Sequence, residues 1–475
     1  MSRFCPHYPT PAPTKLSALR IFLSKRRSWL DGLYERSYQM KMGEVHLPGV
    51  DLYVPNEPSL TRKVLVEEAR RFPKNQIMAE GLHELLGNSV LTSNGAVWQR
   101  QRSLMNPSFE VARVSQVYDR MQAAADAMVE RLRRVEHGTV HDMEREMSHA
   151  AADIIVRTIV SQSLDGSSAR TVFDAFANYQ ALSSKLIMPR LFGLKWLQPW
   201  WLVKRSRQAA NEIRNLLADL IRPRYDAFQA KLAQGVPLEQ ADTTDDILAG
   251  LLRARDAVSG ERFSFEDLID QVGTLFLAGH ETSASAMSWS VYLLACVPEV
   301  QERLHAEALD KLPGVGDDPS RLKDMTLARD VFREALRLYP PIGFLVRQAA
   351  EACELRDKQV KAGASVVVSP WLMHRHRELW ARPDEFDPDR YTRDEPNDSP
   401  SCKESLRRAY MPFGQGPRAC IGGAFALQEA ALLLATLATH FRFETGPGPV
   451  PEPVGRVTVR PDNGIHVKVF QRSQE

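Results

Sequence analysis

The residue best placed to do chemistry is Cys420, in the segment MPFGQGPRACIGGAFA. This segment is rich in glycine, carries one charged side chain and runs into an apolar helical pattern. The start of that helix would supply partial positive charge and free backbone N–H groups, which favour a thiolate over a thiol. A thiolate in such a loop suits a metal ligand, although a lone cysteine is more often a small buried apolar residue.

Other side chains of this loop suit a flat cofactor that carries anionic groups. Phe413 can cover the sulfur and keep water away, and Arg418 offers a cation for a carboxylate of such a cofactor. Glycine removes the side chain wherever backbone must approach such a group closely. The glycines concerned are Gly414, Gly416, Gly422 and Gly423.

A second segment, LFLAGHETSAS, lies in the middle of a long helical pattern. The pattern begins with Ser264 and Asp267 as a capping pair and ends before Pro298, so it predicts a helix of about 32 residues, roughly 48 Å long. It is too polar to span a membrane. Its charged or titratable residues include Asp267, Asp270, His280 and Glu281.

One face of this helix is unusually open. It carries Leu275, Ala278, Gly279 and Thr282, and the small pair in the middle leaves space for a small molecule. A helix crossing at Gly279 and a Thr282 hydroxyl bonded to a carbonyl one turn earlier are the alternatives. Glu281 lies about 100° further round, off this face, where its carboxylate could relay protons from solvent.

Two further pairs lie at helical spacing. Trp98 and Arg102 are four residues apart, so both can donate to one buried anion, or they can stack on the surface. Glu334 and Arg337 are three apart, and an exposed ion pair of this kind would contribute less than about 1 kcal/mol. Neither pair by itself decides between a functional and a surface role.

Composition fits a large soluble protein able to enclose a cofactor. The chain has 475 residues, 44% hydrophobic and 25% charged, and its net charge of +2 does not indicate nucleic-acid binding. Its five cysteines are scattered without a CxxC pair, so we expect neither a disulfide framework nor a zinc site. No linker is visible, and we predict an N-terminal arm over residues 1–30 followed by one domain over 31–475.

The N-terminal arm has six Lys or Arg among its first 30 residues and no acidic residue. Its apolar run, Ile21 to Leu23, is too short for a signal or membrane segment. A basic arm of a cytoplasmic protein is therefore predicted, with an organellar transit peptide and a matrix location as the alternative. The aromatic stretch MPRLFGLKWLQPWWLV reads as a core-facing connection or as a lid that also touches a membrane surface.

Strand patterns flank the helical part of the chain. GEVHLPGVDLYVPN alternates apolar and polar residues, and helical patterns follow from Glu57 onward. VKAGASVVVSP and GRVTVRPDNGIHVKVF are predicted to complete one small sheet.

In combination these segments resemble the cytochrome P450 haem-thiolate superfamily. The cysteine loop matches its proximal haem loop, and Ala278, Gly279, Glu281 and Thr282 match its oxygen-binding motif. Glu334 and Arg337 match its helix pair, and RPDEFDPDRY matches its meander through Pro383, Phe386, Pro388 and Arg390. The motifs run in the family's order from about Trp98 to His466, and Asp389 stands where glutamate is more usual.

The resemblance implies a mainly α (α+β) fold with haem b between the long helix and the cysteine loop. Cys420 would ligate the iron, Phe413 would shield it, and Gly279 and Thr282 would meet oxygen while Glu281 relays protons. The implied propionate ligands are Trp98, Arg102, Arg347 and Arg418. The implied substrate pocket is formed by Leu275, Ala278, Ile342, Phe344, Leu345 and Val457, and the implied structural network by Glu334, Arg337 and Arg390.

The implied function is a monooxygenase that uses O2 to hydroxylate or oxidatively demethylate an apolar small organic molecule. The sequence has no phosphate loop, flavin-binding segment or iron–sulfur cysteine cluster, so electrons should come from a separate ferredoxin or flavodoxin and its NAD(P)H-dependent reductase. Lys403, Arg407 and Arg408 are the predicted docking residues, unless they form an ordinary solvated loop. A peroxide-driven enzyme and a non-enzymatic haem sensor are the competing functions.

Overall fold

The computed structural model describes residues 4–14, 28–47, 50–110, 116–165, 170–176, 178–180, 182, 186, 198–393 and 402–473. Helices dominate this part of the chain and strands form small separate sheets, so the predicted mainly α fold with a small β region is confirmed. Most of the aromatic stretch predicted as a lid lies outside the described residues. Its described end is Trp200 and Trp201, both exposed at the start of a helix.

The α-helices, numbered here in chain order, are α1 Pro58–Arg62, α2 Gln76–Leu86, α3 Gly95–Met105, α4 Tyr118–Arg133, α5 Met143–Val160, α6 Trp200–Ala233, α7 Leu238–Ala241, α8 Ile247–Arg253, α9 Phe265–Cys296, α10 Pro298–Lys311, α11 Pro313–Asp317, α12 Thr326–Leu338, α13 Pro370–Met373, α14 Cys402–Ala409 and α15 Gly423–His440. The strands are β1 Met42–Leu47, β2 Val50–Pro55, β3 Thr139–Asp142, β4 Leu345–Gln348, β5 Cys353–Leu355, β6 Lys358–Val360, β7 Ser365–Val368, β8 Phe441–Thr445, β9 Pro453–Gly455, β10 Val459–Pro461 and β11 His466–Gln471. Among the helices so described, none is long and apolar enough to cross a membrane.

Helix α9 is the predicted long helix, and its 32 residues match the predicted length. The Ser264 hydroxyl accepts from the Asp267 N–H at 3.1 Å, and the Asp267 carboxylate accepts from the Ser264 N–H at 3.0 Å. This reciprocal cap satisfies two backbone donors that a helix start otherwise leaves free. Helix α9 packs along α5 and also against α12 and α15, so it runs through the main core.

The strands of the described residues divide among four sheets. The segment GEVHLPGVDLYVPN forms strands, as predicted: β1 and β2 pair antiparallel, and with β7 and β4 they form a sheet of order β1-β2-β7-β4. The pattern VKAGASVVVSP joins this sheet through β7, as predicted, but the pattern GRVTVRPDNGIHVKVF does not, because within the described residues β11 pairs with β3 and β8 and β10 pairs with β9. Alternation in sequence indicates a strand, but backbone pairing groups are alike in every strand and do not specify the partner.

Candidate functional site

A cavity of about 380 Å³ lies between helix α9 and the loop that carries Cys420. Most of the residues predicted to face a ligand do line it. They are Leu275, Ala278, Gly279, Thr282, Ile342, Leu345, Phe413, Arg418, Cys420 and Val457. The structure therefore brings the two best motifs of the sequence, which are more than a hundred residues apart, to one cavity.

Phe344 is an exception, because it is not among the lining residues and the prediction that it faces the pocket is wrong. Its ring packs edge-on against Trp29, with 5.1 Å between ring centroids. Edge-to-face packing of two aromatic rings is favourable. The sequence could not show this contact because Trp29 comes from the distant N-terminal part of the chain.

The Cys420 thiol is open to the cavity, and its backbone N–H donates to the Phe413 carbonyl at 2.8 Å. Burial raises the pKa of this thiol above its ordinary value, while a hydrogen bond from the Gly422 N–H and the charge of Arg102 act to lower it. Arg102 is held beside the cysteine because it donates to the Ala419 carbonyl at 2.8 Å. The loop thus presents a sulfur with positive partners, as a thiolate ligand requires.

At two positions the structure requires glycine for a different reason from the one predicted. At Gly416 the backbone φ is +74°, and an added Cβ would lie 2.1 Å from the Leu65 carbonyl oxygen, so this glycine serves contact with a neighbouring segment rather than access for a cofactor. At Gly279 an added Cβ would lie 2.5 Å from Ile155 Cδ1 on α5. The helix crossing considered as an alternative is therefore present, although Gly279 also lines the cavity.

Four cations gather beside the cysteine loop: Lys74, Arg102, Arg347 and Arg418, here called the cation cluster. Lys74 was not predicted, and its ammonium donates to the carbonyls of Val90 and Leu91 at 3.1 and 2.5 Å. Burial lowers the pKa of Lys74 well below its ordinary value, and the three guanidinium charges lower it further. No motif in RFPKNQ marks Lys74, because its role depends on the arginines that folding brings beside it.

The arginines of the cation cluster make neutral contacts. Arg418 donates to Asn94 Oδ1 at 2.8 Å and lies over the Trp98 ring, 4.2 Å from its centroid, while Arg347 donates to the Val346 carbonyl at 3.1 Å. Burial lowers the pKa of Arg347 to about 10 and that of Arg418 to about 10, the latter also through Arg347.

Within the part of the chain that the structure describes, no member of the cation cluster forms an ion pair with a carboxylate. Arg347 is buried and the other three are half-buried, and cations withdrawn from water without counter-charges are costly, so the cluster calls for an anion from outside the chain. Two carboxylates on a flat ring system, as in haem, match this need beside a cavity that exposes a thiol. The residues present therefore fit a haem-thiolate group.

Thr282 and Glu281 lie side by side on α9. The Thr282 hydroxyl donates to the Ala278 carbonyl at 2.7 Å, as its alternative interpretation predicted, and it also lines the cavity. Glu281 also belongs to the cavity lining, so its predicted place off the pocket face is wrong. Its carboxylate accepts from Gln180 Nε2 at 2.7 Å and from the Thr458 hydroxyl at 2.6 Å, side chains that the sequence did not connect to it.

A buried carboxyl that the sequence analysis missed lies behind this face. Glu429 on α15 is 1% exposed and accepts one hydrogen bond, from the Ser283 hydroxyl at 2.7 Å. Burial raises the pKa of Glu429 to about 8, and the Ser283 bond acts weakly in the opposite direction. The available signal was an acid inside the otherwise apolar pattern ALQEAALLL.

The pair Glu334 and Arg337 is fully buried and is joined by Arg390, here called the Glu334 network. Arg337 donates to both Glu334 oxygens at 2.9 and 2.8 Å, and Arg390 donates to one of them at 3.0 Å. Burial alone would raise the pKa of Glu334, but Arg337 and Arg390 lower it to about 2. The three predicted residues thus lie together as a closed charge network.

His374, which the sequence analysis did not single out, connects this network to the cysteine loop. Arg337 donates to the His374 carbonyl at 3.0 Å, and the His374 ring accepts from the Met411 N–H at 2.9 Å, where the loop begins. Burial and the charges of Arg337 and Arg375 lower the pKa of His374 to about 3, so the ring is neutral and Nε2 remains an acceptor.

Comparison with known proteins gives a consistent result. The family model described as cytochrome P450 matches residues 6–469. Pentalenene oxygenase of Streptomyces avermitilis is 30% identical over 434 residues, 90% of each chain, and cyclooctat-9-en-7-ol 5-monooxygenase of Streptomyces melanosporofaciens is 30% identical over 407 residues, 85% of this chain and 83% of that protein. The solved haem domain of cytochrome P450DA shares the fold, with a TM-score of 0.79 at 23% identity over 98% of both chains.

Proposed function

This chain belongs to the cytochrome P450 family and is a monooxygenase, and we propose that it hydroxylates or oxidatively demethylates an apolar small organic molecule. One observation carries the proposal: a thiol open to a cavity lies beside the cation cluster, which has no carboxylate partner among the described residues. The group that fits is haem b, and the electrons would come from a separate protein.

Haem, when bound, supplies the redox chemistry that activates O2. Cys420 would hold its iron, and the cation cluster would hold its propionates. Phe413, in the cysteine loop, lines the cavity and would shield the sulfur from water once haem is bound. Thr282 lines the cavity and donates its one hydroxyl proton to the Ala278 carbonyl, so its oxygen is oriented to accept a hydrogen bond from a ligand in the cavity.

Glu281 can exchange protons at the edge of the same cavity. Its two carboxylate oxygens are held by Gln180 and Thr458, so it is positioned rather than free to rotate.

A Thr282→Ala variant should keep haem but consume reducing equivalents without forming a matching amount of product. An unchanged ratio of product to reducing equivalents would remove Thr282 from the mechanism.

The substrate is proposed to be mostly apolar because the predicted pocket residues Leu275, Ile342, Leu345 and Val457 all line the cavity. Two relatives are named for acting on pentalenene and cyclooctat-9-en-7-ol, by their names an alkene and an unsaturated alcohol. Fatty acids, terpenes, steroids and aromatic ethers all have the required character. A ligand screen that finds only strongly charged or polyhydroxylated compounds would refute this proposal.

The electron donor is proposed to be an acidic ferredoxin or flavodoxin that docks on helix α14. Lys403, Arg407 and Arg408 are exposed on this helix, which directly precedes the cysteine loop. Reversing Arg407 to Glu should raise the KM for the donor and weaken the dependence of the rate on salt, because exposed charges mainly steer encounter. Lys231→Glu, on the exposed end of α6, is the matched control.

The proposed location of the protein is the cytoplasm.

The first test is the carbon monoxide difference spectrum of the dithionite-reduced protein. A long-wavelength Soret band would establish thiolate ligation, and Cys420→Ser should abolish that band. If the protein binds no haem, the proposed function is refuted. Turnover with peroxide alone would favour the peroxide-driven alternative, and failure with every reductant would favour a haem sensor.

A further inference from the structure

Trp29 fills a slot behind the wall of the cavity. An added Cβ at Gly343 would lie 2.3 Å from Trp29 Cζ2, and one at Gly455 would lie 2.4 Å from Trp29 Nε1. Glycine therefore leaves room for the indole on both segments, which come from parts of the chain more than a hundred residues apart. Such close approach of backbone to an aromatic ring is a specific fit rather than loose contact.

The two segments that hold the indole also carry the substrate wall. Ile342 and Leu345 flank Gly343 in sequence, Val454 and Val457 flank Gly455, and all four line the cavity. The Pro341 carbonyl accepts from the Val459 N–H at 2.8 Å, so a backbone hydrogen bond joins the two segments. The indole lies against both glycines and is not among the residues that line the cavity.

Trp29 is also fixed from its other sides. Its ring is edge-on to Phe344 and to Trp371, with centroid distances of 5.1 and 6.2 Å, and the Ser28 hydroxyl accepts from the Gly455 N–H at 3.0 Å. Its buried Nε1–H has no hydrogen-bond partner among the described residues. A buried donor without a partner costs free energy, which indicates that the shape of the indole, not its polarity, is what this position requires.

We propose that Trp29 is a positioning residue that sets the width of the substrate pocket by holding the Gly343 and Gly455 segments at a fixed separation. It acts through Ile342, Leu345, Val454 and Val457 without touching the ligand itself. This inference rests on the proposed function, because the pocket is a substrate site only if haem occupies the cysteine end of the cavity.

The test uses three iron-binding probes of increasing bulk: imidazole, phenylimidazole and biphenylylimidazole. Their spectral dissociation constants are measured with the haem-loaded protein and with Trp29→Ala and Trp29→Phe. We expect Trp29→Ala to lower the dissociation constant of biphenylylimidazole about tenfold relative to that of imidazole, because a relaxed pocket wall admits the larger group. Trp29→Phe, which keeps an aromatic ring, should give a smaller shift of the same sign and carries the test if Trp29→Ala does not retain haem.

A double substitution separates positioning from general destabilisation. With Trp29 present, Gly455→Ala should weaken the binding of biphenylylimidazole, because the added Cβ would push β9 towards the cavity. In the Trp29→Ala background the same substitution should have little effect on that binding. Equal shifts for all three probes, or the same effect of Gly455→Ala in both backgrounds, would overturn the inference. If imidazole itself leaves the spectrum of the unaltered protein unchanged, the proposed function fails instead.

Discussion

Two groups of cations in this protein, one fully buried and one mostly half-buried, differ in whether the chain supplies a counter-ion. The Glu334 network contains its own counter-ion, and every charged partner is supplied by the chain. The cation cluster contains lysine and arginine only, and its contacts are with carbonyl, amide and aromatic groups. A network with an internal counter-ion can hold a fold together, whereas a cluster of cations with none points to a ligand that brings the missing negative charge.

The largest effect is expected from unbalancing the closed network. Glu334→Gln leaves Arg337 and Arg390 buried without a carboxylate and should lower the free energy of unfolding by about 3–5 kcal/mol. Denaturant unfolding of the haem-free protein and the yield of haem on purification measure this loss. Asp389→Asn breaks a more exposed pair with Arg303 and should cost at most about 1 kcal/mol. Equal losses in the two variants would contradict the contrast.

The opposite result is expected for the cation cluster. Arg347→Met removes one of several like charges, so the haem-free protein should unfold at the same or a higher denaturant concentration. Haem should bind about 1.5–3 kcal/mol more weakly, roughly a 10- to 100-fold faster loss to a haem acceptor, because one charge-assisted hydrogen bond is removed. Arg303→Met serves as the surface control. A haem-free protein as damaged as Glu334→Gln would show that Arg347 is structural.

The connection between the closed network and the cysteine loop can be broken at His374. His374→Leu leaves the buried Met411 N–H without its acceptor and should cost about 1–3 kcal/mol, with a broadened or shifted Soret band as the loop loosens. His374→Gln restores an acceptor and should recover most of the loss. If both variants behave alike, the hydrogen bond to Met411 does not transmit the effect.

A third buried titratable group, Glu429, is kept neutral by a proton rather than paired with a cation, so its effect on stability should be small in acid and should grow as the pH rises. The pKa of Glu429 is raised from 4.5 to about 8, so its contribution to stability is complete below pH 4.5 and is lost as the pH rises towards 8. If Glu429 alone releases one proton on unfolding, the unfolding free energy falls by at most about 1.4 kcal/mol per pH unit. Glu429→Gln should flatten the decline in unfolding free energy between pH 5 and 8, and parallel curves would contradict this.

Prediction from sequence succeeded where the signal was local. The ends of helix α9 followed from the Ser264 and Asp267 cap and from Pro298, and these lie within the helix or next to it. The prediction for Phe344 failed because its ring packs against Trp29, which comes from a distant segment. The reason predicted for Gly416 failed because the backbone of Leu65, also distant in sequence, lies against it. Contacts between distant segments leave no spacing pattern in the residues themselves.

By itself, the sequence determined the cysteine loop, the long capped helix and the spacing of Glu334 and Arg337, because backbone geometry converts short spacings directly into shared faces. Only the tertiary structure decided that Lys74 joins the arginines, that Glu281 is held by Gln180 and Thr458, and that Trp29 packs behind the substrate wall. Those assignments depend on which distant segments pack together, and burial then decides which charges must be balanced by the chain, by a proton or by a ligand.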